Sequence, residues 1–338
     1  MEEIRRRYLR LLQPSAALIN DVSRLSGDFM ILGAGGKMGP ALARLARQAV
    51  LAAGTSSRVM AASRFSEPGV AEGLQEDGIE TFHMDLLDER QLFELPEADY
   101  ILYLAGMKFG TTGNEPMTWA MNTYLPGRVA EKYRRSRLVA FSTGNVYPFS
   151  SVHSGGATES TIPEPVGEYA QSCLGRERIF QYASQHFGTH VLLYRLNYAN
   201  DVRYGVLLEI ARAVWEGRPL DLRMGYVNVI WQGDANEMAI RCLHHCDSPA
   251  RILNVTGPET LSVRTLAENF GYLLNRNPVF VNQEESTALL SNASECKLLF
   301  GPPRVSVQTM QELIAAWLIE GGETLAKPTH FQEREGRF

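Results

Sequence analysis

Gly33, Gly36 and Gly39 stand three residues apart in the stretch Asp28-Phe-Met-Ile-Leu-Gly-Ala-Gly-Gly-Lys-Met-Gly39. Glycines at this spacing make a phosphate cradle. The first lets the chain turn sharply, the second lets the backbone approach a pyrophosphate, and the third lets a helix pack on a strand. The flanks supply the elements such a cradle needs. Phe29 to Leu32 is an apolar run of strand length, and Met38, Leu42, Leu45 and Ala49 recur at helical spacing. A helix starting there offers unpaired N–H groups and its positive dipole end to the phosphates. The spacing predicts a dinucleotide site. A second cluster, Cys242-Leu-His-His-Cys246, has metal-ligand residue types. It falls near the end of a helix starting around Asp234 and has no second ligand pair, so no metal site is expected.

The rest of the chain repeats the strand-helix rhythm. Arg58 to Ala62, Ile79 to Met84, Tyr100 to Leu104, Leu138 to Phe141 and Val191 to Tyr194 read as strands. Met117 to Arg134 and Tyr169 to His186 read as helices between them. Such alternation predicts an α/β fold, a Rossmann-type doubly wound parallel sheet whose ligands bind beyond the carboxyl ends of the strands. From about Asn197 the rhythm breaks into longer loops. The expected organisation is an N-terminal helical arm over 1–27, a dinucleotide-binding Rossmann domain over 28–196, and a smaller substrate-binding lobe with a C-terminal tail over 197–338. The arm, Glu2 to Leu12, is basic and amphipathic and is expected to pack on the domain or on a second subunit of a homodimer.

Composition narrows the function. The chain has 338 residues, of which 45% are hydrophobic and 21% charged, enough for a real core. A net charge of −5 gives no electrostatic case for nucleic acid. No apolar run spans a bilayer and no signal peptide opens the chain. Four cysteines suggest no disulfide framework, so a cytoplasmic location is expected.

The glycine turn is followed by Asp85 after the third strand, Leu104-Ala105-Gly106 after the fourth, Asn122 in the next helix, and Ser142-Thr143-Gly144-Asn145-Val146-Tyr147 after the fifth. This pattern, over residues 28 to about 270, resembles the extended short-chain dehydrogenase/reductases. These are NAD-dependent epimerase/dehydratase enzymes acting largely on sugars and nucleotide sugars. The resemblance implies catalysis by a tyrosine, here Tyr169, as general acid/base on a substrate hydroxyl or carbonyl, with Thr143 sharing the oxygen. Hydride passes between substrate and nicotinamide. The cofactor set it implies is Gly33, Gly36, Lys37, Met38, Gly39, Ser63, Arg64, Asp85, Leu86, Leu104, Ala105, Gly106, Asn122 and Tyr169. The substrate set is Lys108, Asn145, Asn197 and Arg223, with a carbohydrate-like small molecule as partner. Trp119, Tyr147, Arg195 and Trp231 are further pocket candidates, equally explained by core packing.

The chain departs from the family at one catalytic position. The lysine four residues after the tyrosine, which holds the nicotinamide ribose and lowers the phenol pKa, is Cys173. Arg176, seven residues on from Tyr169, and Lys108, after the fourth strand, are candidate replacements. The arginine that often grips a nucleotide diphosphate is also missing: Val227 stands there, with Arg223 nearby. That leaves a free sugar or sugar acid open as substrate. At the end of the second strand an acidic residue would suit NAD. The chain has Ser63-Arg64, with Lys37 close by in the turn, and these suit a 2′-phosphate, so NADP is expected over NAD. Two functions stay open: an NAD(P)-dependent oxidoreductase, epimerase or dehydratase on a sugar or sugar acid, and a catalytically silent dinucleotide-binding sensor or scaffold.

Overall fold

Phe29 and Ile31 point to one side of their strand, Met30 and Leu32 to the other, and all four are fully buried. A strand apolar on both faces belongs inside a sheet covered on both sides. The computed structural model, which describes residues 1–108, 110–325, 327 and 329–337, places it there. Seven strands, β1 (Phe29–Leu32), β2 (Val59–Ser63), β3 (Glu80–His83), β4 (Tyr100–Tyr103), β5 (Arg137–Thr143), β6 (His190–Leu196) and β7 (Arg251–Val255), form one sheet in the order β3-β2-β1-β4-β5-β6-β7. Every pairing is parallel, with Leu32 opposite Tyr103 and Thr143 opposite Leu196. The order reverses between β1 and β4, which opens a crevice above the carboxyl ends of these two strands. The Rossmann-type expectation holds. The sheet takes its edge strand β7 from a stretch that the sequence reading left in the second lobe.

The helices are α1 (Glu2–Leu11), α2 (Ala16–Val22), α3 (Gly39–Ala53), α4 (Gly167–Phe187), α5 (Val206–Glu216), α6 (Gln232–Arg241), α7 (Val263–Leu274) and α8 (Val307–Ile319), with shorter ones between. Core residues of α2, α3 and α6 join Phe29, Ile31, Leu102 and Val139 on one face of the sheet. Phe180 and Ala183 of α4 join Met30, Leu32, Tyr103 and Leu138 on the other. The helix expected over Met117 to Arg134 is interrupted. Glu115–Trp119 and Leu125–Lys132 are α-helical, and Ala120–Tyr124 between them is a π turn that carries Asn122. π turns are rare and often mark functional sites.

A second core gathers α5, α7 and α8 with Trp231 and Tyr8 of the arm. The Tyr8 ring meets Trp231 and Trp317 at centroid distances of 6.0 and 5.8 Å, and its hydroxyl donates to Asp201 Oδ2 at 2.8 Å. The first helix of the arm therefore packs on the second lobe of its own chain, and its second helix packs on the central sheet. The C-terminal residues return over the same lobe, anchored by the fully buried Phe331. Among the described residues no helix is long and apolar enough to cross a membrane.

Candidate active site

Gly33 has φ +89°, a conformation L-residues rarely adopt, and a Cβ there would lie 2.5 Å from the Ala105 backbone nitrogen. Gly39 is similarly closed, because a Cβ would run into the Ala34 carbonyl. Gly36 differs. Among the described residues outside its chain neighbours, the one atom near a Cβ placed there is the Gly33 oxygen at 3.4 Å, so its open face looks into the cleft. Two glycines thus close the turn and one leaves a backbone cradle that a side chain would fill. This is the shape a pyrophosphate needs at the start of α3.

The cleft at the β1/β4 switch point has a volume of about 670 Å³. It brings together Gly33, Gly36, Lys37, Met38 and Gly39 from the turn, Leu104, Gly106 and Lys108 after β4, Thr143 and Asn145 after β5, Tyr169 of α4, and Asn197 after β6. The other expected residues stand outside its lining. Ser63 ends β2 beside Gly35, and the exposed Arg64 that follows forms no ion pair among the described residues. Asp85 Oδ1 accepts from the Leu87 N–H at 3.0 Å, and Leu86 and Ala105 are buried. Asn122 is fully buried, and its amide clamps the Met107 backbone, accepting from its N–H and donating to its carbonyl, both at 2.8 Å. Arg223 is ion-paired with Asp221 at 2.6 Å, away from the cleft, and Val227 is a buried strand residue.

Some lining residues were not anticipated from sequence. Tyr204 and Gln232 face the cleft from the second lobe, and the tail adds Lys327, Thr329 and His330. Nothing in the tail's residue pattern signals this, because only the return of the chain over the lobe brings it there. The Lys37 ammonium lies 3.7 Å from the Tyr204 ring centroid. Burial, with Lys108 and Lys327 nearby, lowers Lys37 to about 7. Desolvation lowers Lys108 to about 8, against the pull of Cys173 and Glu209. A cleft that crowds half-buried amines this way favours an anion, whose charge restores their protonation.

The Tyr169 phenol shares hydrogen bonds with Thr143 and Cys173. Burial and then Cys173 hold it well above its ordinary value, while Arg176 and Thr143 pull the other way. Thr143 Oγ1 also accepts from the Asn145 N–H at 3.1 Å. Cys173 is fully buried and its thiol is raised by burial. Beneath this corner, Ser142 Oγ donates to Glu177 Oε1 at 2.5 Å, and Arg195 Nη2 meets Glu177 Oε2 at 2.6 Å. Arg195 Nη1 donates to the Tyr147 hydroxyl at 2.7 Å. Arg195, Tyr147 and the buried Trp231 are thus scaffold, and Trp119 is partly exposed. The Cys242 and Cys246 thiols are buried, with burial pushing Cys246 up to about 12, and no metal-ligand cluster occurs among the described residues.

The model of the NAD dependent epimerase/dehydratase family matches residues 29–199, just over half of the chain. Solved structures share the fold. A UDP-glucuronic acid 4-epimerase from Bacillus cereus, in complex with NAD, matches with a TM-score of 0.72 at 17% identity, over 88% of this chain and 99% of that one. A UDP-glucose 4-epimerase from Thermotoga maritima, with UDP-glucose, gives 0.71 at 14% identity over 87% and 99%. The UDP-glucose 4-epimerase of Thermus thermophilus, complexed with NAD, gives 0.68 at 18% over 86% and 98%. No curated protein matches the chain in sequence.

Proposed function

The chain belongs to the NAD dependent epimerase/dehydratase family, and from that premise we propose that it is an NAD(P)-dependent oxidoreductase, epimerase or dehydratase acting on a sugar or sugar-acid hydroxyl or carbonyl. One observation carries this reading: Tyr169, hydrogen-bonded to Thr143, lines the same cleft as the open face of Gly36. A nicotinamide dinucleotide, when bound, supplies the hydride acceptor or donor. Gly33, Gly36 and Gly39 shape the turn for its pyrophosphate, and Lys37 adds charge at the turn. Tyr169 moves the proton. Its phenol gives a proton to a substrate carbonyl or takes one from a hydroxyl, and Thr143 binds the same oxygen. Burial keeps the proton on the phenol in the free site. That suits donation, whereas proton abstraction needs a neighbouring positive charge to favour the phenolate.

Asn145 and Asn197 offer amides to sugar hydroxyls, and Lys327 offers positive charge to a sugar carboxylate. Val227 is buried and Arg223 is ion-paired away from the cleft, so neither of these positions presents an arginine to a diphosphate, which favours a free sugar or sugar acid over a nucleotide sugar. Ser63 and the exposed Arg64 favour NADP over NAD.

Cys173 in place of the lysine favours a second reading, a silent dinucleotide-binding protein. The two separate when purified protein is incubated with NADP⁺ or NAD⁺ and a panel of free aldoses and uronic acids, with chromatography of the products. Turnover that disappears in Tyr169→Phe is the expected result. Tight dinucleotide binding without any turnover supports the silent reading instead.

A further inference from the structure

We propose that Lys108, on the loop after β4, supplies the positive charge at the Tyr169 corner that helix α4 lacks at Cys173. The inference rests on the acid/base assignment of Tyr169 just made.

The geometry starts from two side chains of different length. Cys173 stands one turn after Tyr169 on α4, is fully buried, and ends in a short neutral thiol hydrogen-bonded to the phenol. Lys108 comes from the facing loop. It lines the cleft with Tyr169, and its Nζ lies 5.8 Å from the Tyr169 ring centroid. It acts on the Cys173 thiol through space, pulling that group's proton affinity down. The ammonium thus stands within about one side-chain length of the tyrosine ring and acts electrostatically on the thiol beside it.

The loop is held so that the lysine stays there. Asn122 grips both polar atoms of the Met107 peptide backbone, one residue before Lys108. The same amide donates to Ser172 Oγ at 3.0 Å, next to Cys173, and its Oδ1 accepts from Arg176 Nη2 at 2.7 Å. The π turn that carries Asn122 therefore ties the Lys108 loop directly to the Tyr169 helix.

Arg176, also on α4, favours the Tyr169 phenolate through space, but its guanidinium is committed to other partners. Its Nη1 donates to the Phe141 carbonyl at 2.8 Å and its Nη2 to Asn122, and it lies beneath Gly106 rather than in the cleft lining. Arg176 is a positioning residue for the loop and for the end of β5. The groups that act on Lys108 are Cys173 of α4 and Glu209 of α5, which favour its charged form, with burial opposing, and Lys108 in turn disfavours the charged form of Lys37 in the glycine turn. Ligand phosphates at the turn would favour the charged form of both lysines.

The test compares wild type, Lys108→Met, Lys108→Arg and Lys108→Met/Cys173→Lys. NADP⁺ affinity is measured by calorimetry, and a pH–rate profile is recorded on whichever aldose or uronic acid the wild type accepts. The expected result is a loss of turnover of about 10²-fold in Lys108→Met, with the acidic limb of the profile moved to higher pH and NADP⁺ bound more weakly. Lys108→Arg keeps the cation and retains turnover well above that of Lys108→Met, below wild type because the planar guanidinium places the charge differently. The double variant recovers most of the loss, because the cation returns on α4. Wild-type turnover and an unmoved profile in Lys108→Met overturn the inference. So does a folded Lys108→Arg that is as inactive as Lys108→Met. Should Tyr169→Phe keep full activity, the acid/base assignment itself fails; should Tyr169→Phe be inactive while Lys108→Met is normal, only the role of Lys108 fails.

Discussion

The glycine turn and the Tyr169 corner face each other across one cleft, and they are built from different materials. At the turn the backbone does the work. Gly33 and Gly39 have no room for a Cβ, and Gly36 leaves its open face to the cleft. At the corner side chains do the work, and the residue one turn after Tyr169 is the neutral, buried Cys173. Backbone chemistry is tied to sequence position, so it is kept in place or lost. A charge can enter from any element that reaches the spot. Lys108 and Arg176 both approach Tyr169 from positions with different partners, one in the cleft and one locked beneath it.

The largest effect separates the two regions cleanly. Tyr169→Phe removes the proton donor and should lower turnover by about 10²–10⁴-fold, while calorimetry shows NADP⁺ affinity within a few-fold of wild type. A matching loss of affinity would mean that corner and turn are not separate parts. Next in size is the support under the corner. Arg195 and Glu177 form an ion pair with side chains 1% and 0% exposed. Arg195→Met leaves a carboxylate buried and should cost roughly 3–5 kcal/mol of stability, read as a shifted urea midpoint. A variant as stable as wild type would show that Ser142 and Thr143 do not depend on that pair.

On the turn side, Arg64→Ala should weaken NADP⁺ binding by roughly 1–3 kcal/mol, the scale of a charged hydrogen bond, and leave NAD⁺ almost unchanged. Equal losses for both dinucleotides would place Arg64 away from the 2′-phosphate. The smallest effect is a pH dependence. Lys37 has an ordinary value of 10.5 and is lowered to about 7 in the free cleft. Bound phosphates raise it again, so binding takes up a proton between these values. Affinity should fall as pH rises from 7, by at most about tenfold per unit for one proton. Calorimetry in buffers of different ionisation enthalpy detects the uptake, and Lys37→Met should abolish it. An affinity independent of pH from 7 to 9 would mean that Lys37 does not meet the phosphates.

Much of the fold was legible because six strands of the central sheet carry local patterns: short apolar runs, each followed by a turn. β7 was missed because Arg251–Val255 follows the loops after 197, where that rhythm is gone. The turn was legible for the reason already given, since its glycines are neighbours in sequence. The far side of the site was not. Lys327, Thr329 and His330 arrive from the tail, and no residue spacing records that the chain comes back to the cleft. Asn122 could be located but not given its part, because its two bonds to Met107 depend on a π turn. Arg223 lies close to Val227 in sequence, yet its ion pair with Asp221 holds it outside the cleft.

The most direct measurement is a calorimetric titration of wild type and Gly36→Asp with NADP⁺ and NAD⁺, alongside their thermal unfolding. Among the described residues outside its chain neighbours, no atom comes closer than 3.4 Å to a Cβ at Gly36, so the variant should fold with an almost unchanged Tm. Its carboxylate would stand where the pyrophosphate belongs, so wild type should bind dinucleotide, NADP⁺ the more tightly, and the variant should bind neither. Equal affinity in the two proteins, or a wild type that binds no dinucleotide, would contradict the assignment of this cleft.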